Sequence, residues 1–189
     1  DCQYPHLLYT VTSEGRTAAK IRHREGVAHG EGVGDLNESS FHVAMVALGE
    51  RYLETAFVDD PDSAVVEVSP YHEIEDGRLD LAGLDANGDI VVTLEAERSN
   101  HDTLEAVPDD FDKMAAQDPD AAIWIVESRT GGHDVLDALN EPHNGEPRIE
   151  NTYSRSTAPH LCDVDADGAT GMYTFTHLRD SVLEGTNRL

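Results

Sequence analysis

The sequence predicts an α/β fold, a mixed central β-sheet flanked by helices, and three observations carry that reading. Phe41, Ala44, Met45, Leu48 and Tyr52 recur at three- and four-residue steps through NESSFHVAMVALGERYLETAF, which is helical spacing. Two alternating apolar runs flank Asn87-Gly88, the sequence signature of a β-hairpin. AAIWIVES is a short continuous apolar run between two helical patterns, as a strand buried on both faces requires.

The elements follow in order. Residues 1–30 read apart from the rest: a short apolar stretch, Ser13 as a helix N-cap, then a helix on which Arg16, Lys20 and Arg24 fall at four-residue spacing. GVAHGEGVGD at 26–35 is a glycine-rich linker, so two segments are expected, 1–34 and an α/β domain over 35–189. The domain opens with the helix from Asn37, whose first turn carries Glu38, where the helix dipole favours a carboxylate. AVVEVS reads as a strand and the hairpin supplies two more. Residues 99–102 cap a helix containing VPDDFDKMAA, AAIWIVES is the fourth strand, and HDVLDALN is a further helix. The tail reads as strand, loop and closing helix. Helix, three strands, helix, strand, helix suits a sheet of mixed direction with helices on both sides.

Composition narrows the setting. Among 189 residues, 38 are acidic and 13 basic, giving a formal charge of -25, and the bases comprise 11 Arg but only Lys20 and Lys113. The acids are spread through every segment, which reads as a solvated surface adapted to concentrated salt, so the expected source is a salt-accumulating archaeon. Two cysteines are too few for a disulfide framework, and no segment reads as a signal peptide or membrane span, so a cytoplasmic protein without membrane contact is expected. The chain begins with Asp and reads as a fragment of something longer.

The hairpin raises the chemical question. A two-residue turn at Asn87-Gly88 pairs Ala86 with Asp89, Leu84 with Val91, Ala82 with Thr93, Asp80 with Glu95 and Arg78 with Glu97. Opposed residues have Cβ atoms about 4.5–5.5 Å apart, and like charges there destabilise a sheet. Alternation along the strand turns Glu95 and Glu97 to the side of Asp80. Three acids thus converge, and a divalent cation such as Mg²⁺ is the natural compensation.

A helix with an early Glu, a strand, a strand bearing Asp and a strand bearing a Glu-x-Lys motif resembles the core of the PD-(D/E)XK, or restriction-endonuclease-like, nucleases. The helix acid matches Glu38, spaced ahead of Gly49 as in archaeal Holliday junction resolvases; the metal-binding Asp matches Asp80 and the motif Glu matches Glu95. The lysine position holds Glu97, so the motif reads EAE, a variant similar to that of some restriction endonucleases. The likeness covers roughly residues 35 to 140, and its motif is short and degenerate. FDKMAAQDPDAAIWIVES also resembles segments of haloarchaeal proteins linked to plasmid mobility or conjugation-type ATPases.

The resemblance implies a restriction-endonuclease-like core and a Mg²⁺- or Mn²⁺-dependent DNA endonuclease. Asp80, Glu95 and the Ala96 carbonyl would hold the metal with Glu38 directly or through water, and Glu97 would orient or deprotonate the attacking water. Lys113, in the next helix, would stand in for the missing lysine. A homodimer and a DNA-processing ATPase are the protein partners it suggests. Plainer readings stand beside these: an ordinary Arg78–Glu97 ion pair, Asp80 and Glu95 as surface acids, and a basic helix making local salt bridges. That helix also suits phosphate contacts, either as a winged-helix remnant or as part of a metal-independent regulator. The chief functional alternative is a catalytically inactive nuclease-fold module that binds DNA or a partner within a larger machine.

Other signals are weaker. Asp163, Asp165, Asp167 and Gly168 are spaced as in a calcium loop, but Thr174 stands where a bidentate Glu is required, so a polar turn is expected. Cys2 with His6, and His160 with Cys162, match no zinc-site spacing, and no Gly-Lys-Ser/Thr phosphate loop is present.

Overall fold

The computed structural model describes residues 39–98, 101–143, 145–150 and 153–185. The chain divides into two compact units, Asp1–Ala44 and Met45–Leu189. Of the first unit only 39–44 is described, and it opens a helix on which the His42 N–H donates to Ser39 Oγ at 3.0 Å. Arg16, Lys20, Arg24, the glycine-rich linker and Glu38 lie outside the described residues.

Helix α1 spans Ser40–Leu53 and crosses into the second unit at Met45. It is followed by β1 (Glu67–Ile74), β2 (Gly77–Leu84), β3 (Ile90–Glu97), α2 (His101–Ala115), β4 (Ala121–Val126), α3 (Arg129–Asn140), β5 (Gly171–Thr174) and α4 (Phe175–Glu184). The five strands lie in sequence order in one sheet. β1–β2 and β2–β3 are antiparallel, while β3–β4 and β4–β5 are parallel. A mixed α/β sheet flanked by four α-helices is therefore the observed architecture among the described residues.

Each sheet face is buried by helices. On one, a Cβ placed at Gly49 of α1 would stand 2.7 Å from Leu81 Cδ1 and 2.9 Å from Ile125 Cδ1, so glycine lets the helix backbone close onto β2 and β4. On the other, Val107, Phe111 and Met114 of α2 and Val135, Leu136 and Leu139 of α3 form one core with Ala82, Trp124, Val126 and Met172. Trp124 Nε1 donates to the Gly168 carbonyl at 2.8 Å, which satisfies the buried indole. The aspartate-rich segment is thus a polar turn closed by reciprocal Ala166–Ala169 hydrogen bonds of 3.0 and 2.8 Å.

Several sequence expectations need correction. The β2–β3 loop has three residues, 86–88, because the Gly88 N–H donates to Asp85 O, the Asp85 N–H to Asp89 O, and Gly88 takes φ +87. The Asp85 carboxylate stabilises that form by accepting from the Asn87 and Asp89 N–H groups. Leu84 therefore pairs with Ile90, not Val91. A register shift between Gly83 and Leu84 then absorbs the extra residue, restoring the expected Ala82–Thr93 pair. β1 starts later than AVVEVS and runs to Ile74. α3 begins four residues before HDVLDALN, since Ser128 Oγ accepts the Gly131 N–H at 3.1 Å and caps it. In the tail the strand follows the loop instead of preceding it.

At Gly168 a Cβ would lie 2.4 Å from the Phe111 carbonyl oxygen and 2.8 Å from its ring. Gly168→Ala must push the turn off α2 and strain the Trp124 hydrogen bond, so chemical unfolding should show a loss of about 2 kcal/mol or more.

Candidate functional site

The sheet opens around Asp80. The β2–β3 ladder ends at Leu81–Leu94, and the β1–β2 ladder passes from Pro70–Leu81 to His72–Leu79, omitting Tyr71 and Asp80. Tyr71 there has φ +53, a left-handed conformation costly for a bulky residue. Leu79 and Ala82, three positions apart, belong to the same core, so the two-residue alternation is reset at Asp80. The β2–β3 ladder ends before Arg78 and Glu97, and the Arg78 guanidinium lies over the Tyr71 ring at 5.0 Å.

Where the ladder stops, Asp80 replaces it. Its Oδ2 accepts the Ala96 N–H at 2.9 Å, while Glu95 Oε1 lies 3.4 Å from the Asp80 N–H. The two acids therefore meet across the strands as expected, 9 % and 5 % exposed. Because a strand residue directs its N–H and C=O to the same edge, the Ala96 carbonyl lies along the edge that Asp80 holds open.

Lys113 enters from α2. Its Nζ is 2.8 Å from Glu95 Oε1 and 2.7 Å from Asp110 Oδ1, with the lysine side chain 16 % exposed. Asp110 was not singled out from the sequence, although its i,i+3 spacing from Lys113 on a helix was the available signal. Glu97, 8 % exposed, ends β3 opposite Val126.

Burial and the neighbouring Asp80 push the Glu95 carboxyl well above its ordinary value, against the pull of Lys113. Burial lowers the Lys113 ammonium, but Glu95 and Asp110 more than offset this and hold it above the usual lysine range. Both directions have one origin: Glu95 and Asp110 flank the ammonium while Asp80 stands close to Glu95, and carboxylates set so near one another favour retained protons or an added cation.

Among the described residues no group of three or more His, Cys, Asp or Glu side chains is drawn together so as to hold a metal ion. Two carboxylates and an edge carbonyl still fit Mg²⁺, which usually keeps several waters and takes one or two protein carboxylates. Beside Lys113, a groove of about 440 Å³ is rimmed by Glu75, Asp76, Asp109 and Asp112, an acidic approach that repels polyanions. No helix among the described residues is long and apolar enough to cross a membrane. No family model, curated protein or solved structure matches the chain.

A carboxyl raised by folding holds its proton more tightly in the folded than in the unfolded state. Its contribution to stability is complete below the ordinary glutamate range and drains as pH rises through the raised value. In chelator, wild-type melting temperature should therefore fall relative to Glu95→Gln as pH rises above the ordinary glutamate range. Parallel curves would contradict this.

Proposed function

We propose that the chain is a metal-dependent DNA endonuclease with a restriction-endonuclease-like core. The observation that carries the reading is the contact of Lys113 Nζ with Glu95 Oε1 at 2.8 Å, beside an Asp80 that has opened the sheet. The PD-(D/E)XK resemblance asks for an Asp on the second strand, a Glu on the third and a lysine near both. Here the lysine comes from α2, while Glu97 stands at the motif position. The order helix, three antiparallel strands, helix, parallel strand supports the same reading.

Asp80 and Glu95 would hold Mg²⁺ or Mn²⁺, with the Ala96 carbonyl on the adjoining edge. Such an ion, when bound, supplies a Lewis acid for the scissile phosphate and a more acidic water. Lys113, kept charged by Asp110 and Glu95, is suited to donate to a phosphate oxygen as negative charge develops, and not to act as a base. Glu97 would accept the proton of the attacking water as the new P–O bond forms and the bond to the leaving oxygen breaks.

One feature favours a silent, DNA- or partner-binding module: Lys113 is already paired with Glu95 and Asp110, and Asp80 already accepts the Ala96 N–H within the fold. Plasmid nicking in KCl with Mg²⁺ or Mn²⁺ separates the readings. Wild type should cut, Asp80→Asn and Glu95→Gln should not, and Lys113→Ala should lower kcat by about 10²-fold or more. DNA binding without cleavage by folded wild type would instead establish the silent module.

A further inference from the structure

We propose that Arg98, Arg129 and the first turn of α3 form the contact for the DNA phosphate backbone at this site; the inference rests on the nuclease reading and names the surface through which its substrate is held.

Most described cations are already neutralised. Arg51 pairs with Glu54, Lys113 with Glu95 and Asp110, Arg148 with Asp112, Arg155 with Asp134 and Asp137, and Arg179 with Asp180. Arg78 lies on Tyr71. Two arginines depart from this pattern. Arg98 reaches only Glu127, at 4.0 Å, and its Nε makes no hydrogen bond among the described residues. Arg129 is exposed and, among the described residues, has no carboxylate within ion-pair distance. In a chain of charge -25, leaving two guanidiniums so weakly paired forgoes nearby attraction.

Their positions give this a purpose. Glu97 and Val126 pair at the ends of the parallel strands β3 and β4. Arg98 follows Glu97 directly, and Arg129 opens α3 two residues after Val126 and Glu127. Both therefore stand at the edge of the sheet where the strand carrying Glu95 and Glu97 ends. Ser128, Arg129 and Thr130 are exposed there, and α3, 12 residues long, turns its positive end the same way. The groove beside Lys113 carries Glu75, Asp76, Asp109 and Asp112. A polyanion approaching the carboxylates is repelled by that acidic groove and attracted by the two guanidinium forks. Guanidinium also suits phosphate better than ammonium, through bidentate donation.

The test measures binding of a fluorescent DNA duplex, with Ca²⁺ replacing Mg²⁺, across a KCl series, alongside plasmid nicking in Mg²⁺. Wild type, Arg98→Ala, Arg129→Ala, the double variant and Glu127→Gln are compared, with melting curves to confirm folding. The double variant should bind at least tenfold more weakly, with a log K against log salt slope shallower by about two. Glu127→Gln, which releases Arg98, should bind more tightly. If wild type binds DNA and the double variant matches it in affinity and slope, the inference is overturned while the nuclease reading stands. If wild type binds without nicking and the double variant is weakened, the contact holds and the nuclease reading fails. Failure of folded wild type to bind DNA overturns both.

Discussion

The site depends on one hydrogen bond, from the Ala96 N–H to Asp80 Oδ2 at 2.9 Å. An antiparallel ladder would normally give that N–H a backbone carbonyl. Here a side-chain carboxylate takes it, so the strands can part without leaving a buried donor unsatisfied. The same step aligns Asp80 with Glu95, resets the side-chain alternation of β2 and coincides with the left-handed backbone of Tyr71. A charged acceptor strengthens the bond, and burial makes its loss costly. The opening is therefore a built feature of the fold.

The cost of gathering acids is met locally. Lys113 brings one positive charge to Glu95, and Asp110 fixes the ammonium from one turn away on the same helix. Burying this group would be expensive were any member left alone, because an unpaired buried charge loses its hydration without recompense. Burial and the nearness of Asp80 to Glu95 give the cluster its affinity for protons and suit it to a cation. The sheet supplies the acids, α2 supplies the lysine, and the α2–α3 core against Trp124 holds the two layers in register. The Gly168 turn is part of that support, since its carbonyl receives the tryptophan.

Much of this was legible in the sequence. The hairpin signal gave the Ala82–Thr93 pair even though the turn has three residues instead of two, because the bulge at Gly83–Leu84 returns the displaced register, and beyond the end of that ladder Asp80 still meets Glu95 through side-chain contacts. Lys113 stood out through the scarcity of lysine and lies at the acids. The apolar run at β4 and the helical periods on either side of it marked the parallel crossover. What could not be read arises from non-local geometry. No local pattern announces the φ of Tyr71, the reset at Asp80 or the stacking of Arg78 on the Tyr71 ring. Ser128 was passed over because Arg129–Gly132 lacks a helical apolar period, yet its hydroxyl starts α3 there.

A crystal structure grown in Mn²⁺, with anomalous differences collected at the manganese edge, bears most directly on whether the opened strands form a cation site. A single strong peak in contact with the Asp80 and Glu95 carboxylates and next to the Ala96 carbonyl, with Lys113 at its side, is the predicted result. Density showing Asp80 and Glu95 on opposite faces of the sheet, or a fully occupied ladder through Ala96 with no peak beside it, would contradict it.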